Sequence, residues 1–147
     1  MAALIDLWHA GWIEAHAEHV PAALTRLRTK ESFDRRLSAF GDQLRVTGPE
    51  GAPTGLCVAK GEEIDQLFVS PTVRGGVVAR ALLADGEARI AAAGHREGVL
   101  FCAIGNDRAA RFYTKCGWRL RGEDDVSLAT SEGAFSLRTW VFVKRLD

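Results

Sequence analysis

The sequence has no excess of charge of either sign. Its 147 residues include 19 basic and 19 acidic side chains, so the formal net charge is zero. The balance is even along the chain, with seven charges of each sign up to Lys60 and twelve of each sign after it. Proteins that bind nucleic acids through phosphate contacts concentrate positive charge. We therefore expect no nucleic-acid partner.

Long apolar runs and paired cysteines are also missing. No apolar stretch approaches the ~20 residues of a membrane-spanning helix, so we expect no membrane association. The first residues, MAALIDLWHAGW, lack the basic region that opens a secretory leader. The three cysteines, Cys57, Cys102 and Cys116, are odd in number and widely spaced. This usage predicts reduced thiols and a cytosolic location.

The residues that are present predict one ordinary globular domain over residues 1–147. The composition is 47% hydrophobic and 26% charged. Hydrophobic spacing and turn residues predict a mixed α/β fold with the order α-α-β-β-β-α-β-α-β-β. Helices are predicted at 4–19, at 30–40, from the glycines at 75–76 to Ala93, and at 107–116. Strands are predicted at 43–47, 56–60, 62–69, 99–104, 118–121 and 135–144, with a hairpin between the first two and a polar loop between the last two.

The segment VSPTVRGGVVA, residues 69–79, joins a predicted strand to a predicted helix through two glycines. Such a junction directs backbone N–H groups and the positive end of the helix at one point, which suits a phosphate or pyrophosphate. The segment contains neither the GxGxxG nor the GxxxxGK[ST] pattern. Taken alone, it is equally typical of a turn that needs glycines only for its shape.

A second segment, AIGNDRAARFYTKCGW, covers residues 103–118. Asn106 is placed to cap the helix that follows it. Ala109 and Ala110 would leave room for a ligand beside the first turn of that helix. Phe112 and Tyr113, taken as an isolated aromatic pair, are typical of core packing.

Together, and in this order, the two segments resemble the GCN5-related N-acetyltransferase (GNAT) superfamily, whose members transfer an acetyl group from acetyl-CoA to an amine. The family's pyrophosphate signature, Gln/Arg-x-x-Gly-x-Gly/Ala, is similar to RGGVVA at 74–79, which follows LFVSP at 67–71. Val77 stands where this signature usually has a glycine. The family's second signature is matched by Asn106, Ala109, Phe112, Tyr113, Gly117 and Trp118. The resemblance covers about residues 62–118.

The resemblance implies a mixed central sheet of about six strands flanked by about four helices. It also implies acetyl-CoA as co-substrate and no metal. Backbone N–H groups near Leu67–Val69 would hold the acetyl carbonyl, and Tyr113 would be the general acid. The residues expected to contact the co-substrate are Leu67, Phe68, Val69, Arg74, Gly75, Gly76, Val77, Val78, Ala79, Asn106, Ala109 and Phe112.

The general base is expected on the strand at 62–69. Alternation along a strand would place Glu63 and Asp65 on the same face as Leu67 and Val69. Many members of the family use a carboxylate from this strand, so Glu63 and Asp65 are the candidates. The alternative is that both are solvated charges at the end of a strand.

The resemblance leads to the hypothesis of direct acetyl transfer, in a ternary complex, to a primary amine of a small molecule or peptide. One alternative is a catalytically weak or inactive module that binds acyl-CoA. Another is a protein that uses the fold only for assembly. The apolar final strand, FSLRTWVFVKRL, suits a surface shared by two subunits, so a homodimer is a further hypothesis.

Two further groups of residues could contribute to the acceptor side. His9, Trp12, His16 and His19 lie near one helical stripe, which we interpret as a helix face bordering the acceptor pocket rather than as a metal site. The acidic run at 123–125 could attract a cationic amine, although such a run is more often simply solvated.

Overall fold

The computed structural model describes residues 1–147 as one six-stranded sheet flanked by helices. The strands are β1 (Leu44–Thr47), β2 (Gly55–Lys60), β3 (Glu63–Val69), β4 (Glu97–Ala103), β5 (Arg119–Thr130) and β6 (Gly133–Arg145). Their order across the sheet is β1-β2-β3-β4-β6-β5. Only the β3–β4 pair is parallel, and all other neighbours are antiparallel. The mixed sheet agrees with the prediction.

Five α-helices cover the two faces of this sheet. They are α1 (Ala2–His16), α2 (Ala22–Leu27), α3 (Lys30–Phe40), α4 (Val78–Ala92) and α5 (Asp107–Lys115). Helix α1 packs against α3 and β3, whereas α4 packs against β2 and β3. None of the helices combines the length and the apolar character needed to cross a membrane.

Alternation along β2 separates two hydrophobic cores. Leu56 and Val58 belong to the core formed with α1 and α3, whereas Cys57 belongs to the core formed with α4 and α5. The first core is centred on Trp8 and Phe33, whose ring centroids are 4.4 Å apart. Because residues of a strand alternate between faces, β2 is buried on both sides and anchors the sheet.

The structure corrects two of the predicted elements. The residues predicted as a polar loop after the strand at 118–121 continue as β5 up to Thr130, and every residue from Gly122 onward pairs with β6. The first residues of this edge strand, through Asp125, are exposed on both faces and carry no apolar alternation, and the half-buried Val126 and Leu128 are too short a pattern to predict a strand. The sequence prediction also lacked α2, a six-residue helix that begins directly after Pro21.

The parallel strands β3 and β4 separate towards their carboxyl ends. Only Glu63 and Val99 pair between them. Beyond this pair, β4 continues to pair with β6 through Ala103, and β3 continues to pair with β2 through Val69. The edges of β3 and β4 that face each other are therefore left open beyond Glu63.

Candidate active site

The loop after β3 presents a row of unpaired backbone donors. A short 3-10 helix (Pro71–Val73) ends β3, and Gly75 then takes a left-handed φ of 78° that favours glycine. None of the N–H groups of Gly75, Val77, Val78, Ala79 and Arg80 has a hydrogen-bond partner within the chain. At the N-terminus of a helix such donors bind anions. The predicted phosphate loop thus has the donors that a pyrophosphate requires.

Val77, which stands in place of a signature glycine, leaves this row of donors open. Its side chain is 77% exposed. Its backbone, at φ −90° and ψ −9°, forms the N-cap of α4. Because the N–H group of Val77 is itself unpaired, the substitution removes no donor from the loop.

Glu14 links this loop to two helices through ion pairs. Arg74 donates to both of its carboxylate oxygens, at 2.6 and 2.7 Å, and Arg108 of α5 donates to one of them at 3.0 Å. The hydrogen bond from Arg74 is the main cause that lowers the pKa of Glu14 to about 2. Helix α1, the loop and α5 are therefore held together at the mouth of the site.

Asn106 lies at the junction of β4 and α5 and caps the helix, as the sequence predicts. Its side-chain oxygen accepts a hydrogen bond from the N–H group of Ala109 at 3.3 Å. The amide NH2 of Asn106 makes no hydrogen bond within the chain and is available to a ligand. Trp118, the last residue of the second motif, is buried and donates to Glu87 at 3.1 Å, so its role is structural.

Tyr113 lies on the α4–α5 side of the sheet. Its ring centroid is 5.9 Å from that of Phe142 and 5.5 Å from that of Phe112. Its hydroxyl makes no hydrogen bond within the chain. Burial, more than any nearby charge, raises the pKa of Tyr113 above its ordinary value, so the phenol is protonated at neutral pH.

Leu67, Phe68 and Val69 line the gap between β3 and β4. The N–H group of Ser70 donates to the carbonyl of Thr54 at 2.8 Å, on the β2 side of β3. Because the backbone groups of a strand alternate in direction, those of Leu67 and Val69 point away from β2 and into the gap. These N–H groups are the expected donors to an acetyl carbonyl.

The structure overturns the predicted face of Glu63 and Asp65. The β2–β3 register shifts between Val58 and Ala59, so that Asp65 is an extra residue in β3. This bulge places Ile64 with Leu67 in the α4–α5 core and leaves Glu63 and Asp65 on the α1–α3 side. A regular period of two cannot anticipate a one-residue bulge.

On that side Glu63 has the ionisation expected of a general base. Burial, followed by the neighbouring charge of Asp65, raises the pKa of Glu63 to about 7. Asp65 in turn lies 3.9 Å from the ammonium of Lys60. A carboxylate that is half ionised near neutral pH can both accept and release a proton.

Two basic residues missed by the sequence analysis, Arg28 and Arg36, line the same side. Arg28 is only 4% exposed, and Arg36 lies over the ring of Trp8 at 4.7 Å. One signal was available, because Arg36 falls at helical spacing beside the apolar residues Phe33, Leu37 and Phe40 of α3. A cation on an apolar stripe is a candidate for a site.

One cavity of about 990 Å³ connects these parts. It extends from the loop at 74–80, past Asn106 and Tyr113, through the gap, to Glu63 and the two arginines. Trp12 and His16 also line it, whereas His9, His19 and the acidic run at 123–125 do not. Glu123 and Asp125 instead pair with Arg138 at 3.3 Å each.

Residues 54–118 match the family model of the acetyltransferase (GNAT) family. The match contains both motifs, the phosphate loop and the Asn106–Trp118 segment. This region of the chain belongs to the acetyltransferase (GNAT) family. The class of enzyme that the match indicates is an acyltransferase. The resemblance drawn from the sequence is confirmed.

Solved structures of N-acetyltransferases share the fold over nearly the whole chain. A GCN5-related N-acetyltransferase from Rhodopseudomonas palustris is 22% identical, with a TM-score of 0.71, over 98% of this chain and 89% of that one. An N-acetyltransferase from Staphylococcus aureus Mu50 is 16% identical, with a TM-score of 0.70, over 99% of this chain and 92% of that one. The PaiA N-acetyltransferase from Thermoplasma acidophilum, solved in complex with coenzyme A, is 15% identical, with a TM-score of 0.67, over 97% and 91%. No curated protein matches the chain.

Proposed function

We propose that this GNAT protein is an N-acetyltransferase that moves the acetyl group of acetyl-CoA directly to a primary amine of a small molecule or peptide. The observation that carries the proposal is the continuity of the cavity. It connects the unpaired donors of the loop at 75–80 with Glu63 through the open gap between β3 and β4. A donor site for a pyrophosphate and a base for an amine therefore open onto the same gap.

The loop residues would hold the co-substrate. The five unpaired N–H groups suit the two phosphates, and Arg74 can exchange Glu14 for a phosphate oxygen. Asn106 can donate its free amide to the pantetheine arm. Leu67 and Val69 would direct their N–H groups at the acetyl carbonyl, where negative charge develops during transfer. Bound acetyl-CoA supplies the activated acetyl thioester.

Glu63 and Tyr113 would carry out the proton transfers. Alkyl amines are protonated at neutral pH, so Glu63 first takes a proton from the ammonium and passes it to solvent. The neutral amine can then form the new C–N bond. As the C–S bond breaks, Tyr113 donates its phenolic proton to the sulfur, and the second proton lost by the nitrogen replaces it. The balance is one amide, one thiol and one released proton.

The two side chains lie on opposite sides of the sheet, which suits these roles. Glu63 faces the α1–α3 side and Tyr113 packs in the α4–α5 core. An amine entering from the first side and a thiol leaving on the second would not compete for space.

The cytosolic location, the homodimer and the absence of a metal stay predictions from the sequence.

The test is an acetyl-transfer assay with a panel of amines. Release of free thiol measures turnover, and mass spectrometry identifies the acetylated amine. We expect amine-dependent thiol release with stoichiometric N-acetyl product. Binding of acetyl-CoA without transfer to any amine would instead support the inactive acyl-CoA-binding module. Absence of both binding and transfer would contradict the proposal.

A further inference from the structure

Arg28 and Arg36 form a buried cationic site at the deep end of the cavity. Neither guanidinium has a carboxylate within 4.0 Å, although Asp65 and Glu63 line the same cavity. Arg28 is 4% exposed and makes one side-chain hydrogen bond, to the carbonyl of Ala129 at 3.0 Å. Its remaining nitrogens have no partner in the chain. A buried guanidinium with unused donors is costly unless a ligand completes it.

Arg36 also has a hydrogen-bond donor without a partner. One of its terminal nitrogens is fully buried and has no hydrogen-bond partner. The guanidinium lies over the rings of Trp8 and Phe33, at 4.7 and 5.6 Å, which fixes its plane. The planar face is thus held by aromatic rings while the donors at its edge remain free. Such donors match the two oxygens of a carboxylate.

The charges at this end do not cancel. Lys60 lies near Asp65, at 3.9 Å, which accounts for one cation and one anion. Glu63 is the only remaining carboxylate in the cavity lining, against two arginines. Burial lowers the pKa of both guanidiniums, and His16 is neutral because burial lowers its pKa to about 4. The carboxylate whose charge acts on both arginines is Asp65, which Lys60 also approaches, so three cations face Asp65 and Glu63 at this end of the cavity.

We propose that the amine acceptor carries a carboxylate, as free amino acids do, and that Arg28 and Arg36 bind this group while Glu63 faces the amine. The inference rests on the proposed acetyl transfer and specifies its acceptor. Both ends of an amino acid would then find partners within one pocket. Apolar side chains around the pocket leave room for an uncharged side chain, since Trp12, Leu24, Phe40 and Leu128 line it.

The first experiment compares acceptors that differ only at the carboxylate. The twenty common amino acids are screened by thiol release, and the best one is compared with its decarboxylated amine and its carboxamide. The two analogues bracket the basicity of the amine, because the decarboxylated amine is more basic than the amino acid and the carboxamide less. We expect kcat/KM for the amino acid to exceed both by at least about 10-fold. Equal or better use of both analogues would overturn the inference while leaving acetyl transfer intact.

The second experiment removes one cation. We expect Arg36→Met to lower kcat/KM for the amino acid by roughly 10- to 100-fold, mainly by raising KM, and to change it for the decarboxylated amine less than about twofold. Arg36→Lys should restore part of the loss. Arg35→Met is the matched control, because Arg35 is exposed on the same helix and does not line the cavity. An equal loss for both acceptors in Arg36→Met would indicate a structural role and contradict the inference.

A binding measurement separates this inference from the proposed function. Because Arg36 lies over Trp8, a carboxylate at this site should change tryptophan fluorescence. Each amino acid is titrated without acetyl-CoA into the wild-type chain and into Arg36→Met. The inference is supported if an amino acid binds saturably to the wild-type chain, its decarboxylated amine does not, and Arg36→Met does not bind the amino acid. This result would support it even if no acetyl transfer occurs. Absence of saturable binding by every amino acid would overturn it.

Discussion

The two ends of the cavity are built to hold ligands by different means. At the loop end, the donors are backbone N–H groups at 75–80 on an exposed segment, and the nearby Arg74 is already paired with Glu14. At the deep end, the groups are side-chain charges, Glu63 with Arg28 and Arg36, set among aromatic rings. Most substitutions keep a backbone N–H donor, whereas a buried charge is lost when its side chain is replaced. Changes at the deep end should therefore alter turnover and selectivity strongly, and changes at the loop end should alter affinity modestly.

The largest effect is expected from Glu63→Gln. Since the pKa of Glu63 is raised to about 7 by burial, the wild-type kcat/KM should rise with pH through about 7 and then level off. In the variant, kcat/KM should no longer rise with pH through about 7. Its kcat should fall by about 10²- to 10⁴-fold. Steady-state rates between pH 5.5 and 9 check both. Glu62→Gln, an exposed neighbour outside the cavity lining, is the control, and an unchanged pH profile in Glu63→Gln would remove Glu63 as the base.

Tyr113→Phe should have the next largest effect. The ring would keep its packing against Phe142, so binding of acetyl-CoA should change less than about threefold, while kcat falls by roughly 10- to 100-fold. Calorimetry gives the affinity and thiol release gives kcat. Equal turnover in the variant would show that another group or water protonates the sulfur.

Gly75→Ala tests the loop end through its backbone. Gly75 has a φ of 78° and Gly61, in the β2–β3 turn, has a φ of 56°. A Cβ at either position would meet nothing within 4 Å, so both substitutions to Ala introduce backbone strain of about 1 kcal/mol and no clash. Both variants should unfold at lower denaturant concentration. Only Gly75→Ala should weaken acetyl-CoA binding, by about 5-fold. Equal affinity in the two variants would contradict a role of the loop in binding.

The smallest effect is expected from Glu14→Gln. The change frees Arg74 and Arg108 from an exposed ion pair, so acetyl-CoA binding should tighten by about two- to five-fold. Because the pKa of Glu14 is about 2, the wild-type pairs should stay formed down to pH 4. Glu18→Gln, which removes an exposed carboxylate with no ion pair, should leave the affinity unchanged. Weaker binding in Glu14→Gln would show that the bridge organises the loop rather than competing for it.

Local signals were sufficient for the ends of two helices and for the loop end of the cavity. Helix α3 is capped by Thr29 at its start and by Gly41 at its end, so it spans Lys30–Phe40 as predicted. Asn106 caps α5, also as predicted. These features depend on residues close in sequence, such as a side chain and the N–H group three residues later. The motif residues at 74–79 come from the same kind of local pattern.

Apart from Arg36, whose place beside the apolar stripe of α3 was a local signal, the deep end depends on contacts that no local pattern contains. The bulge at Asp65 moves Glu63 to the other face of the sheet, and it exists only in the pairing of β2 with β3. Arg28 reaches this end through a hydrogen bond to Ala129, 101 residues away. Its sequence neighbourhood gives no hint of burial. The acceptor side of the site therefore required the tertiary structure.

The most direct test of the central claim is to titrate purified chain, free of bound ligand, with acetyl-CoA and with acetyl-pantetheine by calorimetry. Acetyl-pantetheine carries the same thioester and arm but lacks the pyrophosphate and the nucleotide. If the unpaired N–H groups at 75–80 hold the pyrophosphate, acetyl-CoA should bind at micromolar concentration and about 100-fold or more tightly than acetyl-pantetheine. Equal affinities, or no detectable binding of acetyl-CoA, would contradict the account.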